Sequence, residues 1–334
     1  MPLFGKNKES RKLHRLFYAT DLHGSERTFR KFINAGKFYE VNTLIMGGDV
    51  IGKIAIPIIK EANGHFRATV QGTTEQFETE EELQQLMKRM ETLGFYYKIM
   101  PEDEFRALQA DPAAVDALFH ELARQRLEDW VNLGEERLNG TGIKCYITGG
   151  NDDYPEVLEA IPHPGGSTES VFNCEGDVVH IDDVHTMISV GWSTPTPWKT
   201  PRELTDEELG VMIEGMIPGI PELSCAIFNF HDPPVDSTLD TCPMLDWDKD
   251  PPEMIIKAGQ PVLFGAGSQS IRKAIETHQP MLGLHGHIHE SAGVINIGRT
   301  TCINPGSEYG EGILKGCIVT FSDGEVAGYQ MTSG

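Results

Sequence analysis

Long apolar runs are missing from this 334-residue sequence. None approaches the ~18 consecutive residues that a membrane-spanning helix needs, so a soluble protein with no membrane contact is expected. Also missing is the apolar segment that would turn the basic opening MPLFGKNKESRKLHR into a secretory signal, and residues 1–14 read instead as a basic flexible tail. The six cysteines form no CxxC pair, and Cys145, Cys225, Cys302 and Cys317 fall in apolar strand-like runs where a thiol behaves as a small hydrophobe. That usage excludes a disulfide framework and points to a reducing cytoplasm. Positive charge is scarce, with 28 Lys and Arg against 50 Asp and Glu and a net charge of −22. Such a field repels phosphate backbones, and with no basic stripe it argues against a nucleic-acid partner. A small phosphorylated substrate stays open, because bound cations reverse the sign locally. Internal repeats and low-complexity tracts are absent too, and nothing sets an oligomeric state.

What is present is a series of apolar runs that stop abruptly at cation-binding residue types. LFYAT at 16–20 reads as a central strand and ends in Asp21-Leu22-His23-Gly24. TLIM at 43–46 ends in Gly47-Gly48-Asp49, and IKCYIT at 143–148 in Gly149-Gly150-Asn151-Asp152-Asp153. CAIFNF at 225–230 leads to His231-Asp232, and MLGL at 281–284 to His285-Gly286-His287-Ile288-His289. In extended chain, side chains two apart share a face, so Asp21 with His23, and His287 with His289, are each expected to point one way. A single HxH among twelve histidines is more often structural than a ligand pair. Five such strand ends are harder to dismiss, because strand ends of an α/β sheet collect along one edge where sites form. Two Asp, one Asn and four His, without thiolate, suit Mn, Fe or Zn. Seven ligands are too many for one ion with a vacant position and enough for two ions sharing a carboxylate.

Between the second and third of these strands the character changes. Asn63-Gly64 between runs at 54–60 and 66–71 signals a hairpin. A helix over 80–93 follows, with Leu83, Leu86, Met87 and Met90 on one face and Gly94 as its stop. Asp111-Pro112 opens a long helix whose stripe is Val115, Leu118, Phe119, Leu122, Arg126 and Trp130, ending at Gly134. Residues 75–136 carry sixteen acidic and six basic side chains, a solvated helical surface by default. Residues 53–140 therefore read as an insertion, with a cap over the site or a partner surface as its alternative roles. Farther on, runs at 171–174, 178–181 and 186–190 read as a small antiparallel set, Thr205 as the cap of one helix, and 268–278 as another. Trp192, Trp198, Trp247 and Tyr309 read as packing, Arg299 as a surface charge, and Asp152-Asp153 as a helix cap.

In order and wording, DLH, GGD, GGND, HD and GHIH resemble the calcineurin-like metallophosphoesterase superfamily, over Asp21 to His289. Any one of these motifs is weak, but all five in order are specific. The resemblance implies an α/β fold, a four-layer α-β-β-α sandwich of two mixed sheets flanked by helices. Residues 15–334 would form it, interrupted by the insertion. It implies one ion on Asp21, His23, Asp49 and His289, and a second on Asp49, Asn151, His231 and His287, with Asp49 bridging. A metal-bound hydroxide would then attack phosphorus in line. The family has His directly after the GN asparagine, thought to steady or protonate the leaving oxygen; here Asp152 stands there, with His185 and His285 as distant substitutes. The departure assigns Asp152 a supporting role rather than that of proton donor and favours phosphodiesters over monoesters. The alternative is a catalytically weak scaffold binding a protein partner through the insertion.

Overall fold

The strand His14–Ala19 is buried on both faces, and its side chains divide between two cores. Leu16 and Tyr18 point into one apolar cluster, Phe17 and Ala19 into another, as the two-residue period of a strand requires. The same division recurs along Thr43–Gly47, where Ile45 joins the first cluster and Leu44 and Met46 the second. In this computed structural model, which describes residues 13–249 and 252–334, these strands belong to a six-stranded mixed sheet. Its order is Glu325–Ser333, Lys315–Ser322, His14–Ala19, Thr43–Gly47, Lys144–Thr148 and Val171–Asn173. The last four run parallel. Of the expected tail only Leu13 and His14 are described, and His14 opens the first strand.

A second six-stranded sheet has the order Gly293–Ile297, Thr300–Asn304, Leu282–Leu284, Ala226–Phe230, Thr186–Val190 and Val178–His180, with its four inner strands parallel. The sheets face each other across the cluster that holds Leu16, Tyr18, Ile227, Leu282, Leu284, Ile303 and Val319. Outside the first sheet, Phe29 and Phe32 of the helix Glu26–Phe38 and Trp130 of the helix Pro112–Leu138 cover Phe17 and Leu44. Outside the second, Leu209 and Ile213 of Asp206–Met216 and Ile271 and Ile275 of Gln269–His278 cover Ile188 and Phe228. The architecture is thus the expected helix–sheet–sheet–helix sandwich.

A four-stranded sheet, Thr73–Phe77, Phe66–Val70, Ala55–Lys60 and Tyr96–Pro101, lies beside it with its own small core against the helix Glu80–Leu93. Thr73–Phe77 escapes sequence pattern reading because TTEQF has no alternating apolar face. Among the described residues no helix is long and apolar enough to cross a membrane.

Three local expectations need correcting. The runs at 171–174 and 178–181 do not share an antiparallel set: Val171–Asn173 joins the first sheet and Val178–His180 the second. Glu135 helps hold Val171–Asn173 there: its carboxylate accepts the N–H groups of Glu169, Ser170 and Val171 and ties that strand to the long helix. Gly134 does not end that helix, which continues to Leu138; a Cβ there would lie 2.6 Å from Val171 Cγ2, so packing rather than termination selects glycine. Val115, at the other end of the presumed stripe, is exposed, because the first turns of the helix project beyond the core.

Candidate metal centre

Parallel neighbours end at one edge, and the loops leaving that edge carry all seven of the predicted ligands. Backbone bonds zip two loops together: Asp21 N–H to the Gly48 carbonyl at 3.0 Å, His23 to Asp49 at 2.9 Å and Gly24 to Val50 at 2.8 Å. Asp21, His23, Asp49 and His287 all have positive φ, between 42° and 65°, a conformation non-glycine residues rarely adopt. The extended-chain reason for expecting paired side chains on one face is therefore overturned. Residues 285–289 lie past the strand, and His287 and His289 diverge to opposite ends of the cluster.

At one end, oxygen or nitrogen atoms of Asp21, His23, Asp49 and His289 all lie within 4.8 Å of one another, and the first three residues are buried. His23 Nε2 is 3.1 Å from His289 Nε2 and 3.6 Å from Asp49 Oδ2, and His289 Nε2 is 3.3 Å from Asp21 Oδ1. At the other end, Asn151 Oδ1 lies 2.7 Å from His287 Nδ1 and 3.1 Å from His231 Nε2, and His231 Nε2 lies 3.4 Å from Asp49 Oδ1. The opposite oxygens of Asp49 thus face the two ends.

Neighbours fix how these groups point. His231 Nδ1–H donates to the Gly47 carbonyl at 2.9 Å, which in the neutral ring leaves the Nε2 lone pair aimed at a carbonyl oxygen. Asn151 Nδ2 donates to Thr200 Oγ1 at 3.0 Å and so turns its amide oxygen into the cluster. Converging lone pairs repel unless a proton or a cation lies between them, so the donor set fits metal ions. A proton meets the same need. Burial opposes charge on His231, but Asp49, Asp21 and the Gly47 carbonyl outweigh it and raise the pKa to about 10. Burial pushes the Asp21 carboxyl up, and His289 beside it brings it down to about 2.

Around the cluster stand further residues, some of which sequence reasoning missed or misjudged. Asp153 caps no helix; it accepts the N–H groups of Val50, Ile51 and Gly150 and fastens the Asp49 loop to the Asn151 loop. Asn304 Nδ2 donates to the carbonyls of Gly286 and Ile288, and Ser307 Oγ to that of Asp21. Tyr309 is not mere packing, since its ring lies 4.7 Å from that of His23 and 6.0 Å from that of His289. Trp198 and Trp247 are exposed and meet edge to face, and Arg299 holds the carbonyls of Ser224 and Gly324. Neither substitute histidine reaches the cluster: His185 pairs with Asp182, and His285 Nδ1–H donates to the Phe230 carbonyl. Asp152 donates its N–H to Asp49 Oδ1 at 3.0 Å, while its carboxylate binds Lys53 Nζ at 2.6 Å. Lys53 carries no sequence signal, being one lysine in a loop. Ser25 precedes the first helix without capping it; its hydroxyl donates to the Thr92 carbonyl at 2.7 Å, joining the Asp21 loop to the 80–93 helix.

No protein-family profile matches the chain. An uncharacterised protein of Methanocaldococcus jannaschii, MJ1162, is 30% identical over 158 residues, which is 47% of this chain and 61% of that protein. The chain therefore spans about three-fifths of the length of the curated relative it matches. One solved structure, 12% identical, superposes over 97% of this chain and 99% of its own with a TM-score of 0.52, a likeness of fold. TT1561 of Thermus thermophilus aligns over 93% of this chain and 99% of its own at 13% identity and a TM-score of 0.47. An archaeal phosphodiesterase aligns over 96% and 99% at 11% identity and 0.33. The last two superpose too loosely to argue from.

Proposed function

We propose that the protein hydrolyses a phosphoric ester with two metal ions, one held by Asp21, His23, Asp49 and His289 and the other by Asp49, Asn151, His231 and His287. The observation that carries this is Asp49, buried between the two groups with Oδ2 towards His23 and Oδ1 towards His231. Bound there, a pair of Mn, Fe or Zn ions would make a water acidic enough to attack at neutral pH and offset charge on phosphorus. The protein's own residues do the rest. Asp153 and the zipped backbone hold Asp49 in register, Thr200 orients Asn151, and the Gly47 carbonyl fixes the tautomer of His231. Asp152 steadies Asp49 through its N–H and spends its carboxylate on Lys53, so it supports the site and is not an acid for the leaving group.

With no imidazole after Asn151, phosphodiesters are favoured over phosphomonoesters. The net charge of −22 favours a small substrate over nucleic acid, and six free cysteines favour a reducing cytoplasm. The test is metal analysis of the purified protein, then hydrolysis of nitrophenyl phosphate and bis-nitrophenyl phosphate with each added divalent ion. Two ions per chain and faster turnover of the diester are expected. Two ions with turnover of neither ester would favour the scaffold that binds a partner through residues 53–140.

A further inference from the structure

Five of the seven ligand side chains are buried, and on one side of the cluster His287, His289, Asp152, Tyr309 and Lys53 are partly or fully exposed. A substrate enters from that side. Lys53 is half exposed there, with 48% of its side chain accessible. Asp152 anchors it at 2.6 Å and is itself fixed to Asp49 by its backbone N–H at 3.0 Å. The ammonium therefore stands at a set place over the mouth, although its side chain is long and flexible. Of its three N–H donors Asp152 occupies one, and two remain for a ligand. Arg202, a second cation near the cluster, lies behind it: it is buried, donates to the Gly150 carbonyl and pairs with Glu175. It cannot meet a substrate from the open side.

In-line displacement fixes which oxygen Lys53 meets. If the attacking water comes from the cluster, the leaving oxygen lies on the opposite side of phosphorus and points to the mouth. We propose, on the functional reading above, that Lys53 is a catalytic residue whose ammonium donates a hydrogen bond to the leaving ester oxygen and holds the charge that develops there. A bond forms from water oxygen to phosphorus, and the bond from phosphorus to the leaving oxygen breaks with its electron pair on that oxygen. The water gives up one proton to solvent, the leaving oxygen gains one from solvent, and Lys53 keeps its own. The substrate class this suits is an anionic diester whose leaving alcohol is released as a partly charged oxygen beside a lysine.

The experiment compares wild type, Lys53→Ala and Lys53→Arg, each checked for metal content. Aryl phosphodiesters with leaving phenols of decreasing acidity are the substrates, and binding of inorganic phosphate by calorimetry is the readout independent of turnover. Lys53→Ala should lose little on the nitrophenyl ester and on the order of 100-fold on the phenyl ester, the scale for removal of a donor to a developing oxyanion. Lys53→Arg should restore the wild-type dependence on the leaving group, and phosphate should bind more weakly to Lys53→Ala alone. An equal loss across all phenols, or unchanged phosphate affinity with an unchanged leaving-group dependence, overturns the assignment. Wild-type protein that turns over no ester would instead sink the functional reading, and the phosphate titration would still decide whether Lys53 grips an anion.

Discussion

At Asp49 and Asp152 two neighbouring carboxylates are given different work by what surrounds them. Asp49 is shared between two histidine-bearing groups, so Asp49→Asn should strip metal and lower ester turnover by at least ~100-fold, as expected when charge stabilisation at a reacting oxygen is lost. Near-normal turnover with full metal content contradicts the bridging role. Asp152 acts through others, and Asp152→Asn should cost only ~10–100-fold. A loss of several orders of magnitude with metal retained would make Asp152 the proton donor. A third residue sets a pH dependence of stability. Burial pushes the His285 pKa down to about 4, below the ~6.5 of an unfolded histidine. Between those values the unfolded chain binds more protons, so the contribution of His285 is full above pH ~6.5, shrinks as pH falls and levels off near 4. The unfolding free energy of wild type minus that of His285→Gln should therefore rise with pH across this window, on the order of 1.4 kcal/mol per unit. A flat difference by denaturant titration would refute it.

Scaling up to elements, the 80–93 helix and the strand after it are fitted to the back of the loops that carry His23 and Asp49. Gly94 ends that helix with φ 78°, and a Cβ there would lie 1.8 Å from the carbonyl oxygen of His23. Gly72 has nearly the same φ, 80°, with nothing near its missing Cβ. The two alanine variants share the left-handed strain of ~1–2 kcal/mol, but only Gly94→Ala must also displace His23. Weaker metal binding is expected for Gly94→Ala and normal binding for Gly72→Ala, each followed by metal titration; equal affinities would show that the side sheet does not support the site.

For the molecule as a whole, a net charge of −22 means self-repulsion within the folded state. Raising ionic strength from ~0.01 to ~0.15 M shortens the screening length from ~30 to ~8 Å, so Tm should rise over that range. A falling Tm would mean that attractive ion pairs outweigh the net repulsion. Duplex DNA should not retain the protein at either salt.

The sequence by itself determined the buried strands, which announce themselves by apolar runs, and the ligand-type residues at their ends, while the sandwich was implied by the resemblance that those five motifs carry. It also determined the helix over 80–93, whose periodicity and terminal Gly94 agree with one another, and the structure adds a capping Thr79. Only the tertiary structure decided which sheet Val171–Asn173 joins, since turns on either side of a short strand do not name its neighbour. The same holds for the left-handed backbone of Asp21, His23, Asp49 and His287, which loop-to-loop bonding imposes against local preference. Lys53 and Asp153 reach the cluster from loops and Tyr309 from a single 3-10 turn, and such short irregular segments leave no period in a sequence. Their places are set by contacts between parts of the chain that are adjacent only after folding.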